Sequence, residues 1–198
     1  LIKLSEIVRT ETNPFNPKKS KETMVNLFSM PAFDADHFPR LERVNNIKSN
    51  KNIVEPLAVL VSKMNPRVKR VWLLNTSADY LNVVSTEFIA FNSDTPEMQC
   101  FIYAVVNTIG YQEFLKSNVT GSTNSRQRTL PTVAYSYKIR YDPQEAEKFG
   151  QRLIDVVNQI KVNQQQNQYL ARLRDLLLPR MLSGDVSLFH NEVVIEHG

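Results

Sequence analysis

The chain has 198 residues, of which 42% are hydrophobic and 22% charged, with a formal net charge of +4. That length supports one domain, or one domain and an appendage, with a core that needs neither disulfide nor metal. The single cysteine, Cys100, excludes an intramolecular disulfide framework and fits a reducing, cytoplasmic setting, and no apolar run reaches the roughly 18 residues of a membrane span.

Residues 4–9 are a β-prone run, and 10–21 read as a loop with the cations Lys18, Lys19 and Lys21. Residues 24–30 read as a strand ended by Pro31, which lacks a ladder donor. Residues 31–40 follow as a loop. It holds His37, without a nucleophile at a recognisable spacing, and the pair Asp34 and Asp36, without a third ligand for a metal. Residues 44–54 are polar, a loop or an edge element. Residues 57–64 and 68–75 read as strands on either side of the turn Asn65-Pro66-Arg67, a hairpin whose tip carries Lys63, Arg67, Lys69 and Arg70. Residues 83–91 read as a single strand.

Thr95-Pro96-Glu97 combines an N-cap, a proline in the first turn and an acid at the positive end of the helix dipole. The helix it starts carries Met98, Phe101, Ile102, Val105, Val106 and Ile109 at helical spacing, and Gly110 closes or breaks it. Residues 119–129 are small and polar with two arginines, the most loop-like segment of the chain. Residues 133–141 alternate as a strand, and a long helix spans 142–182, stopped or kinked at Pro179. This order is α+β: a mixed sheet with packed helices over 1–141, a long C-terminal helix over 142–182 and a tail over 183–198.

The dinucleotide, P-loop, nucleophile-elbow and zinc-helix motifs are all missing, and the cysteine has no partner. The residues point to a binding protein, not an enzyme, with no metal and no cofactor. Cations stand beside small polar residues in two places, Lys63-Met-Asn65-Pro-Arg67-Val-Lys69-Arg70 and Ser122-Thr123-Asn124-Ser-Arg126-Gln127-Arg128. Lys and Arg neutralise phosphates, and Asn, Gln and Arg make paired hydrogen bonds to base edges. With Lys18 and Lys19 these are the candidate nucleic-acid contacts; a solvated charged turn is the competing reading of each cluster.

A helix of about 40 residues is roughly 60 Å long, more than a domain of this size covers. Its apolar positions Leu153, Val156, Ile160, Leu170, Leu173 and Leu177 ask for a partner helix, and Asn163 is a polar residue at a seam position, which fixes register. The first half, around Phe149, Leu153 and Val156, is expected to pack on its own domain.

Seven segments in order then carry a family resemblance: Ser29-Met-Pro-Ala-Phe-Asp34, Ser62-Lys-Met-Asn-Pro-Arg67, Arg70-Val-Trp72, Ser85-Thr-Glu-Phe88, Gln112-Glu-Phe114, Val119-Thr-Gly-Ser-Thr-Asn-Ser-Arg-Gln-Arg128 and Leu173-Arg-Asp-Leu-Leu-Leu-Pro-Arg-Met-Leu-Ser-Gly184. The chain resembles one target-recognition domain plus one spacer helix of the specificity subunit of Type I restriction–modification systems. The resemblance implies a non-catalytic subunit that binds double-stranded DNA and directs methyltransferase and restriction subunits to one half of a split site. S-adenosylmethionine and ATP would belong to those partners. The family's full subunit has two such domains joined by two long antiparallel helices. This chain, with one of each and a C-terminal type of tail, is expected to be a half-subunit or a C-terminal half, pairing with a second copy or the missing half. The alternative is a coiled-coil scaffold protein whose α+β head binds protein.

Overall fold

The computed structural model describes residues 1–74, 79–121 and 127–184. The chain divides into two compact units, Leu1–Gln159 and Ile160–Gly198.

In the first unit five strands form a mixed sheet in the order β2 (Asn13–Phe15), β5 (Lys51–Ile53), β8 (Leu81–Ser85), β3 (Met24–Phe28), β4 (Arg40–Arg43). Its neighbours are antiparallel except β3 and β8, which run parallel with Val25 beside Leu81 and Phe28 beside Val84. A second sheet is antiparallel, β7 (Val71–Leu73), β6 (Val59–Ser62), β9 (Phe88–Phe91). A short ribbon joins β1 (Ile2–Lys3) to β10 (Lys138–Ile139). The helices are α1 (Met30–Asp36), α2 (Pro96–Asn107), α3 (Ile109–Ser117), α4 (Pro131–Tyr135) and α5 (Pro143–Leu182).

All four residues of β6 are buried, because both faces of its sheet are covered. Val59 and Val61 point with Leu73, Ile89 and Phe91 into a core shared with α2, α3 and the start of α5, through Ile102, Val106, Tyr111, Leu115 and Val157. Leu60, Trp72, Leu74 and Phe88 point the other way, onto Phe28 and Val84 of the five-stranded sheet and Phe33 of α1. Trp72 packs edge-on against Phe28, 4.8 Å between ring centroids, and its indole N–H donates to the His37 carbonyl at 2.9 Å. The outer face of the five-stranded sheet buries Val25 and Val83 with Phe15 of β2 and with Val44 and Ile47 from the segment that follows β4.

The hairpin β6–β7, the Thr95 cap and the long helix match the sequence reading, the last to within one residue. Several expectations differ, among them residues 13–15, a strand within the expected loop over 10–21. Residues 4–9 begin with a 3-10 turn, Leu4–Glu6, and the strand lies before it. Pro31 does not open a loop; Ser29 caps the Ala32 amide and Pro31 stands in the first turn of α1, where its missing N–H costs nothing. Residues 51–53 are an inner strand of the sheet. Residues 83–91 are two strands in two sheets, changing over at Thr86-Glu87. Residues 133–141 hold the end of α4 and only two residues of strand, because Leu130-Pro131 starts a helix.

Gly110 does not break the α2–α3 segment either. Thr108 does: its hydroxyl donates to the Val105 carbonyl (2.7 Å) and accepts from the Tyr111 amide (3.2 Å), ending one helix and starting the next. At the far end of the chain, Pro179 lies inside α5, which runs on to Leu182 and closes with the Ser183 amide on the Pro179 carbonyl at 2.9 Å. Among the described residues no helix is long and apolar enough to cross a membrane.

In the second unit α5 exposes Tyr169, Leu170, Leu173 and Leu176 by half or more.

Candidate nucleic-acid interface

Lys63 leaves the end of β6, and three distant segments meet there. Its amide donates to the Glu87 carbonyl at 2.8 Å, and its carbonyl accepts from the Thr129 amide at 2.9 Å. Met64 pairs with Arg128 as a single antiparallel bridge, and the Asn65 amide donates to the Gln127 carbonyl at 2.9 Å. Thr120 and Arg128 exchange both backbone hydrogen bonds, at 2.8 and 2.9 Å, closing the segment between them. The hairpin tip, the β8–β9 turn and residues 127–129 thus form one junction, although about 60 residues of chain separate the two cationic clusters.

Local chemistry shapes the tip. Asn65 adopts φ 43°, a left-handed conformation that asparagine tolerates better than most residues. Its carbonyl accepts from Val68 at 2.9 Å, a β-turn with Pro66 at the second position. Arg67 stands at the exposed corner of that turn with no hydrogen bond or ion pair among the described residues.

The junction is electrostatically mixed. Arg128 Nη2 lies 3.4 Å from Glu87 Oε1. Burial pulls the Lys63 ammonium below the ordinary lysine range; the Glu87 carboxylate opposes that shift and the Arg128 charge adds to it. Asn65 Oδ1, Glu87 Oε2 and Thr129 Oγ1 are buried without a hydrogen-bond partner. Buried polar atoms are normally satisfied, so this junction keeps bonding capacity that the fold does not use.

The structure therefore gathers Lys63, Asn65, Arg67, Gln127 and Arg128. Lys69 and Arg70 are engaged within the domain. Lys69 Nζ donates to the Asn107 carbonyl at 3.2 Å, at the negative end of α2. Arg70 binds Asp34 through two hydrogen bonds, 2.6 and 3.0 Å, and so ties the hairpin to α1. That contact holds the Asp34 carboxyl below the ordinary carboxylate range. Asp36 is likewise paired, with Arg40 at 2.8 Å. Lys18 and Lys19 sit in a 3-10 turn, Pro17–Lys19, where Lys18 shares a surface cleft of about 370 Å³ with Asn45, Ile47 and Lys48; no hydrogen bond or ion pair among the described residues links them to the junction. Ser122, Thr123, Asn124 and Arg126 lie outside the described residues. Sequence reasoning missed Glu87, whereas Thr129 closes the second cluster read from the sequence. The available signal for Glu87 was its position as the one charged residue in the run 83–91. Among the described residues no group of three or more His, Cys, Asp or Glu could hold a metal ion.

Solved structures share the fold of this chain. A chain from a structure of a type I R-M system, described for its complex assembly and conformational transition, aligns with a TM-score of 0.63 at 14% identity. The HsdS subunit from Thermoanaerobacter tengcongensis aligns with a TM-score of 0.62 at 16% identity. The chain has the HsdS fold. Each alignment covers 97% of this chain and 50% of the other, so the chain spans half the length of the structures it matches. No protein-family model and no curated protein matches it.

Within this HsdS fold the helix positions singled out from the sequence divide. Leu153 packs on the first unit's core, as does Val157, whereas Val156 is 54% exposed. Ile160 and Leu177 are partly buried, Asn163 is exposed, and Leu170 and Leu173 are 63% and 50% exposed.

Proposed function

We propose that this chain is a sequence-specific DNA-recognition subunit that directs the methyltransferase and restriction subunits of a type I restriction–modification complex to one half of a split DNA site. The observation that carries the proposal is the HsdS fold over 97% of the chain, and the cationic junction supports it. Lys63, Arg67 and Arg126 neutralise phosphates, and Lys18 and Lys19 extend the basic surface. Asn65 and Gln127 carry paired donors and acceptors, and Arg128 paired donors, of the kind base edges require. Arg70 and Lys69 position the hairpin tip through Asp34 and the end of α2. Ser122, Thr123 and Asn124 complete the second loop. The chain itself performs no chemistry; methyl transfer and cleavage belong to the partner subunits.

In the same reading α5 is the spacer. Leu170, Leu173 and Leu177, with Leu153, Val156, Ile160 and Asn163 earlier on the helix, meet a second helix of the same kind, from another copy or from the other half of a longer chain. The length of that helix, about 60 Å, sets the distance between the half-sites. Two copies related by a two-fold axis bind a palindromic split site.

The test replaces Arg126 and Arg128 together by alanine in the complex with the methyltransferase subunit. DNA affinity falls, and the log–log dependence on salt becomes shallower by about one unit; unchanged affinity and slope refute the assignment. Mapping methylated bases in cells that carry the chain and its methyltransferase partner yields a split motif; a continuous motif, or none, goes against the reading.

A further inference from the structure

The junction contains one acid among its cations, and the fold fixes it with care. Glu87 sits at the changeover between the two sheets. Its carbonyl is held by the Lys63 amide at 2.8 Å, and its own amide donates to Ser85 Oγ at 3.3 Å. Arg128 is held on both backbone sides by Thr120. Two fixed backbones therefore present a carboxylate and a guanidinium to each other at 3.4 Å, with the Arg128 side chain 53% exposed. A pair this exposed contributes little to folding, and Glu87 Oε2 is buried with no hydrogen-bond partner.

Resting on the DNA-recognition reading above, we infer that Glu87 is a specificity-determining residue: its carboxylate holds Arg128 away from phosphates and in a fixed orientation, so that random DNA binds weakly while a matching base edge is still read. Two physical effects combine. A carboxylate on a DNA-facing surface repels phosphates and cancels part of the charge of Lys63 and Arg128. A guanidinium held by a carboxylate also loses the freedom to follow the backbone, and keeps the planar geometry that a two-point contact with guanine needs. The lowered Lys63 pKa, raised back in part by Glu87, is consistent with this placement.

The experiment uses the full chain in complex with its methyltransferase subunit and a random-sequence duplex of about 30 base pairs, titrated over a range of salt. Glu87→Gln keeps the shape and removes the charge. It binds the random duplex about 3- to 10-fold more tightly at low salt, with a salt dependence steeper by about one unit. Glu87→Asp keeps the charge and with it the original salt slope, and adding Arg128→Ala to Glu87→Gln restores that slope. The inference is overturned if the unaltered complex binds the duplex and Glu87→Gln changes neither affinity nor slope. It is also overturned if Arg128→Ala alone makes the slope shallower by a full unit, a measurement that decides the matter should Glu87→Gln fail to fold. A complex that binds no duplex at any salt refutes the DNA-recognition reading itself, and this inference with it.

Discussion

Gly150 offers the sharpest check on how the long helix is seated. It lies in the third turn of α5, buried, and faces the first turn of α2. A Cβ placed there would stand 2.1 Å from the Glu97 carbonyl oxygen, 2.7 Å from its carbon and 2.9 Å from its Cα. Relief of the first contact requires the two helices to separate by about 1 Å, and all three obstacles are backbone, so no rotamer change helps. Overpacking of this kind costs about 3 kcal/mol, the upper part of the usual range, because a whole helix must shift. Alanine returns about 1 kcal/mol through helix propensity. Gly150→Ala is therefore expected to destabilise the chain by about 2 kcal/mol, a fall in melting temperature of about 4–8 °C for a chain of this size. Thermal unfolding followed by far-ultraviolet circular dichroism measures it. A melting temperature that is unchanged or raised refutes the close contact and, with it, the seating of α5 against Glu97.

Two further outcomes follow from exposure and burial. Leu173→Asp puts a charge on the exposed stripe of the second unit; helix pairing, read by light scattering or by co-purification with the methyltransferase subunit, weakens about 100-fold or more because a charge in an apolar seam is left unpaired, while the melting of the first unit does not move. Retained assembly counts against the stripe as a pairing surface. Tyr135 donates to the Ala90 carbonyl at 2.7 Å, and burial pushes its hydroxyl up to about 12. The folded pKa is above that of the unfolded chain, about 10. The contribution is therefore present in full below pH 10 and is lost as the pH rises towards 12. Denaturant titrations from neutral to alkaline pH show this loss, and Tyr135→Phe shows less of it; an equally steep loss in the variant contradicts the assignment.

Local signals were legible where a single element decides its own form. The Thr95-Pro96-Glu97 start, the Asn65-Pro66 turn and the apolar period of α5 are written in neighbouring residues. A proline is a weaker signal: Pro31, read as ending a strand, stands in the first turn of a helix, as Ser29 two residues earlier indicates. The change of sheet at Thr86-Glu87 has no local mark, since the flanking residues keep strand character on both sides. The parallel pairing of β3 with β8 and the meeting of Lys63 with Thr129 are products of the whole topology. For the same reason the sequence named the two cationic clusters but not their contact, and it could not separate Arg67, which is available, from Arg70, which Asp34 holds.

The double burial of β6 has a consequence for how such a chain can diversify. Val59, Leu60 and Val61 are each committed to one core or the other, and the Ser62 amide on the Arg70 carbonyl, at 3.0 Å, fastens the root of the hairpin. The tip beyond that clasp meets the rest of the domain mostly through backbone hydrogen bonds, which any residue except proline can supply on the donor side. Substitutions at the tip can therefore accumulate or be grafted from another chain while the scaffold beneath them is left intact, and new surface chemistry at the tip becomes reachable by small steps that never pass through an unfolded protein.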